Sequence, residues 1–245
     1  MKYIFLVICI IGLASNNMYS QTDLSGNGMK LDLSVDLASG FVWRGMALNT
    51  TPVVQPAITI TAGKLSIGTW TSAPFSVSEY KELDFFATFQ LTSFFSIGIS
   101  DYYAYDLWNS SFFNLKKEET NHSLDFQLMY EGKGNFPLKA MASTIIGGSS
   151  DLKFKDGKMK RNFSTYLEVG YGNTSKHGFD WEVLAGMVLM KSEFYGISSA
   201  SIINLGLGVS KTFEVTSTYS LPLSLILSIN PTIETVFLTA AIALF

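Results

Sequence analysis

Side chains able to act as nucleophile, general base or transition-metal ligand are scarce in this chain, which has two histidines, His122 and His177, and one cysteine, Cys9. His122 is followed by Ser123, the only pairing that suggests a serine–histidine relay. A lipid hydrolase built on a strand needs those two groups on one face, and successive strand residues point to opposite faces. His177 falls in a predicted turn. We therefore expect no enzyme activity, no catalytic residue, no cofactor and no metal site. Gly147-Gly148-Ser149-Ser150 is followed by Asp151 rather than by a helix, so it reads as a loop and not as a phosphate cradle. What remains is a set of carboxylates at alternate positions of apolar segments: Asp32, Asp36, Asp84, Asp125, Glu168, Asp180 and Glu182, with Lys30 and Arg44 as the clearest cations. Along one wall of a narrow, low-dielectric passage such a set favours cations. The chemistry on offer is passage of small solutes, not bond making. Arg44 is expected near the mouth, facing an acidic wall residue.

The elements that must position these groups have a period of two. In Lys30–Ala38, Leu31, Leu33, Val35 and Leu37 are apolar, whereas Asp32, Ser34 and Asp36 are polar. One face then meets an apolar medium and the other meets water. The pattern recurs around Leu83–Gln90, Ser123–Tyr130, Phe163–Tyr171, Phe179–Val183, Asn204–Val209 and Leu223–Asn230. It predicts about twelve strands, over 30–43, 53–62, 64–73, 82–91, 94–105, 122–131, 137–146, 162–172, 178–190, 201–214, 219–230 and 235–245. Each is close to the roughly 9–11 residues a tilted strand needs to cross hydrocarbon. Short connectors alternate with long ones, the order expected of a bacterial barrel with brief periplasmic turns and larger outer loops. Pro56 cannot donate to a ladder and belongs at a strand end or bulge. Glycines in the polar phase, Gly170, Gly186, Gly206 and Gly208, are expected to leave room in the interior.

Composition places those strands in a membrane. Only 15 % of the residues are charged and 47 % are hydrophobic, with a net charge of −3. No basic patch suggests nucleic acid. Residues 1–20 read as a signal peptide, with Lys2 before an apolar run too short for a bilayer helix; Cys9 follows Val7-Ile8 rather than a small residue, so lipidation is not expected. Cleavage after Ser20 leaves residues 21–245 as one domain without cysteine. In hydrocarbon every backbone group must be paired internally, so strands cross only as a closed barrel. The fold class is therefore all-β, a closed antiparallel transmembrane β-barrel. Phe41, Trp43 and Tyr103 near one set of strand ends, and Tyr130, Tyr171 and Trp181 near the other, are expected to form two interfacial aromatic girdles. The terminal Phe245, in the apolar run Val236–Phe245, reads as an assembly signal, although both faces of that run are apolar.

Phe41-Val42-Trp43-Arg44-Gly45, then Val54-Gln55-Pro56-Ala57-Ile58 and Gly68-Thr69-Trp70, resemble the opening of the TorF-type porin family of Gram-negative outer membranes. The resemblance implies an outer-membrane barrel and a pore, and carries no catalytic residues. Its expected partners are outer-membrane lipid and lipopolysaccharide, the barrel-assembly machinery through the C-terminal strand, and small solutes. The leading expectation is passive diffusion with modest cation preference. The alternative is a closed barrel with a structural or surface-interaction role.

Overall fold

The computed structural model describes residues 20–244 apart from 25–27, 77, 106–110, 135 and 218. The proposed signal segment up to residue 19, and Phe245, lie outside the described residues. The first strands are β1 (Ser20–Leu24), β2 (Met29–Ala38), β3 (Phe41–Trp43), β4 (Met46–Asn49), β5 (Val53–Ala62) and β6 (Leu65–Pro74). Then follow β7 (Glu82–Gln90), β8 (Phe95–Ala104), β9 (His122–Glu131), β10 (Leu138–Ile145), β11 (Leu152–Lys155) and β12 (Lys158–Arg161). The last are β13 (Thr165–Thr174), β14 (Asp180–Val188), β15 (Ser201–Glu214), β16 (Ser220–Asn230) and β17 (Thr235–Ala243). There is no helix among the described residues.

Twelve of these strands, β2, β5–β10 and β13–β17, pair antiparallel with their sequence neighbours. β2 pairs with β5 along one edge and with β17 along the other, which closes the barrel. That seam is short: the ladder runs over Ala241–Ala243 against Asp36–Ala38. Hydrogen bonds from Leu244 N to Val35 O and from Ser39 N to Ala240 O, both 2.8 Å, extend it at each end. The remainder of the same β2 edge, Met29–Leu33, is taken by β1.

Alternation sets which face each residue takes. On the outside, Ile58, Ile67, Phe85, Phe89, Phe126, Leu128, Val183, Leu207, Leu225 and Leu238 are all exposed. These side chains make the outward face apolar on strand after strand. The inside holds Gln55, Thr59, Ser66, Ser72, Asp84, Asp125, Gln127, Glu182, Asn204 and Ser228, all buried. In β17, Val236 and Leu238 are exposed while Thr239 and Ala243 are buried, so the outward face of this doubly apolar strand carries the even numbers.

Three local features depart from expectation. The first predicted strand stops at Ala38 rather than at residue 43. After Gly40 the chain forms a separate hairpin, β3–β4, that turns inward. Pro56 sits inside β5, opposite Val35, rather than at an end or bulge. The β5–β6 ladder lapses at Gln55 and Pro56 instead, where the missing N–H would have been needed. Third, residues 147–161 contain a two-stranded ribbon, β11–β12, that pairs with no barrel strand.

Candidate functional site

The site is the tip of the β3–β4 hairpin inside the barrel. Arg44 (φ 49) and Gly45 (φ 77) form the two-residue turn, with Trp43 paired to Met46. Two successive positive φ values are the geometry of a type I′ hairpin. Glycine is required at the second position by a neighbour as well as by φ. A Cβ on Gly45 would stand 1.9 Å from the Ile203 carbonyl oxygen. That close approach exists because β15 bulges where its register against β14 shifts at Gly186/Met187, which turns Ile203 into the interior beside Asn204. Asn230 Nδ2 then donates to the Gly45 carbonyl oxygen at 3.0 Å.

Arg44 is held from four sides. Its guanidinium meets Asp125 at 2.9 Å and the Tyr195 hydroxyl at 2.5 Å. It lies 4.4 Å over the Trp43 ring and 4.8 Å from that of Tyr166. Asp125 also accepts from Ser143 at 2.6 Å, Tyr102 at 2.9 Å and Gln127 at 3.3 Å. Its side chain is fully buried and that of Arg44 is 6 % exposed. A buried ion pair repays its desolvation only when its remaining polar atoms are bonded, and here they are. Burial pushes the Tyr195 hydroxyl up to about 12, so it stays neutral opposite the guanidinium at physiological pH.

Aromatic packing surrounds this network. Phe41 lies against Trp70 with centroids 5.2 Å apart, and Trp43 packs against Tyr102, Phe194 and Tyr195 at 5.3 to 5.9 Å. Phe41, Trp70, Phe86, Ile145, Tyr166, Val188 and Ile203 belong to the same buried cluster. Phe41 and Trp43 therefore face the interior and are not girdle residues. The physical reason is the break at Ser39-Gly40, after which the alternation belongs to an inward hairpin. Tyr103, Tyr130, Tyr171 and Trp181 lie in the outward phase. Tyr130 packs on Phe95 at 5.1 Å, Tyr171 on Trp181 at 6.0 Å, and Tyr103 on His122 at 4.6 Å.

Three of the interior glycines are closely covered, although Gly206 and Gly208 also line a cavity. A Cβ on Gly186 would stand 1.9 Å from the Tyr166 hydroxyl, one on Gly170 2.6 Å from the Glu182 carboxylate, and one on Gly206 2.7 Å from Leu184. Each is a notch filled by a neighbour's side chain. Beneath the hairpin one cavity of about 90 Å³ persists, lined in part by Arg44, Glu168, Glu182, Asn204, Ser228 and Thr239. Asn204 Oδ1 and Trp43 Nε1 are buried without a protein partner, and both residues line this cavity. They offer one acceptor and one donor to an occupant.

The other predicted wall residues are dispersed. Glu168 accepts from Tyr166 at 2.5 Å, Glu182 from Lys139 at 2.9 Å and Asp180 from Thr174 at 2.5 Å. Asp84 is buried on the inner face, near Glu82, which binds the Tyr80 hydroxyl. Asp32 and Asp36 share the inner face of β2, opposite Thr59 and Gln55 of β5. Of the predicted set, Arg44 and Asp125 meet directly, and Glu168 joins them through Tyr166. Tyr102, Gln127, Ser143, Tyr166 and Tyr195 complete this unit and were not anticipated; neither was Lys139, whose parity with Met141 and Ser143 was a usable signal. His122 faces outward to Asp101 at 2.8 Å and to the Phe112 carbonyl at 2.8 Å, whereas Ser123 faces inward to Ser150.

Geometry thus defines a closed, twelve-stranded antiparallel barrel with a hairpin-filled interior. No protein-family model, curated protein or solved structure matches the chain.

Proposed function

We propose that the chain is a Gram-negative outer-membrane barrel that acts as a narrow, porin-like channel for small solutes with modest cation preference, closed at rest by the Arg44 hairpin. The observation that carries this reading is a cavity of mixed lining, with Arg44, Gln127, Glu168, Glu182 and Asn204 on its wall, next to a hairpin held by an ion pair. A permanently sealed interior is better filled with apolar side chains, because replacing a buried ion pair by packed hydrophobes is often neutral or stabilising. Arg44 and Asp125 instead have a hydrated alternative once the hairpin lifts. Glu168 on the cavity wall favours cations over anions, while Lys139 offsets the charge of Glu182. The exposed apolar belt, the signal-like residues 1–20 and the resemblance of residues 41–45 to TorF-type porins support the membrane and family assignments.

A second reading, a sealed barrel with a structural or surface role, is favoured by the glycine notches and by the aromatic cluster that fills one half of the interior. Planar-bilayer recording of the refolded protein decides between the two. The channel reading expects rare steps from the native chain and larger or more frequent ones from Arg44→Ala, with cations carrying most of the current. Silence from both proteins at high loading overturns it in favour of the sealed barrel.

A further inference from the structure

The β11–β12 ribbon takes no part in closing the barrel, and its register is costly. Lys153 stands opposite Lys160, and Lys155 opposite Lys158. Alternation puts these four ammonium groups on one face of the ribbon. Phe154 and Met159, also opposite each other, take the other face. Like charges directly opposite on paired strands are destabilising, and a lone two-stranded ribbon is marginal in water. Asp156 offsets part of the repulsion by meeting Lys160 at 2.7 Å. The fold nevertheless clamps the ribbon at its base. Buried Asp151 accepts from Phe163 N at 2.9 Å, Asn162 N donates to the Asp151 carbonyl at 2.9 Å, and Arg161 donates to the Gly148 carbonyl. Phe163 adopts φ 57 at the residue that donates to that carboxylate, a strained conformation for a bulky side chain. From the neighbouring loop, Lys117 Nζ donates to the Met159 carbonyl at 2.8 Å, which brings a fifth ammonium group to the ribbon. The apolar face is left open: Phe154 is 74 % exposed and Met159 40 %.

A rigidly based element with clustered lysines on one face and exposed apolar groups on the other matches a surface that is itself two-layered. We propose that the ribbon docks on phosphate-bearing anionic glycolipid of the surrounding leaflet, the lysines meeting headgroup phosphates while Phe154 and Met159 enter the acyl boundary. Attraction of basic groups to anionic headgroups and burial of apolar groups at the interface are additive there. A soluble polyanion would use the lysine face alone and leave Phe154 and Met159 in water. This inference rests on the membrane reading above.

The test uses the refolded full chain with vesicles of phosphatidylcholine, with or without lipopolysaccharide, and counts retained lipid per barrel by native mass spectrometry. The variant carrying Lys153→Gln, Lys155→Gln, Lys158→Gln and Lys160→Gln is expected to lose at least tenfold in lipopolysaccharide retention and to keep phosphatidylcholine unchanged. A Phe154→Ser, Met159→Ser variant, with all charges intact, is expected to lose several-fold. Undiminished retention in the lysine variant overturns the proposal while leaving the membrane reading in place. Displacement of the lipid by millimolar inorganic phosphate, with no effect of the Phe154 change, overturns it in favour of a soluble anion. A native chain that fails to insert into either vesicle removes both readings.

Discussion

The two halves of the barrel interior are built on opposite principles. Toward the long loops, the lumen is a protein core: Phe41, Trp43, Trp70, Tyr166 and Ile203 pack around the Arg44–Asp125 pair, and the hairpin supplies the centre. Toward the short turns, the wall residues are small or polar, such as Thr61, Ser66, Ser210 and Ser224, and ionic contacts are peripheral, as in Lys139–Glu182. Both halves obey the same alternation. What differs is whether a connecting segment folds back inside. A barrel wall thus specifies where polar groups point, while its loops specify whether the space between them holds water or side chains.

The sharpest way to break this contrast is Asp125→Ala. It strands a buried guanidinium, and losing one partner of a buried pair costs about 3–5 kcal/mol. Urea titration of the protein in lipid vesicles, followed by tryptophan fluorescence, should show the loss. Gly186→Ala comes next. The added methyl collides with the Tyr166 hydroxyl, and overpacking of this kind costs roughly 1–3 kcal/mol; the same titration should place it between the other two. Lys139→Met should have the smallest effect. That lysine is 23 % exposed and Glu182 7 %, so water reaches one side of the pair and the cost should fall below that of stranding the enclosed guanidinium. If Lys139→Met destabilises as much as Asp125→Ala, the two halves are not energetically distinct.

The wall was legible in the sequence because strand periodicity is local. Eleven of the twelve barrel strands fall within a few residues of their predicted spans, the first stopping at Ala38 rather than at residue 43, and the spacing of short and long connectors matches. The interior was less legible because it is made by contacts distant in sequence. Phe41-Val42-Trp43 continues the alternation of β2, so its reversal inward left one local sign, the Arg44-Gly45 dipeptide suited to a two-residue turn. Tyr195 sits in the connection after β14, and its hydroxyl finds Arg44 across 151 residues of chain. The polar-phase glycines divide: Gly206 and Gly208 border the cavity, whereas the space at Gly186 is taken by Tyr166 and that at Gly170 by the Glu182 carboxylate, because a glycine's vacancy belongs to whichever neighbour reaches it.

One consequence of the seam concerns alignment. β1 lies along the same edge of β2 as β17, with Gln21 opposite Asp32, three residues from Val35, where Leu244 makes its hydrogen bond. The closing strand therefore has a berth with a fixed end. It cannot slide farther along β2 without running into β1, and a slip of one residue would turn Leu238 and Thr239 to the wrong sides. The short hairpin partner acts as a buffer stop that sets the stagger of the whole cylinder.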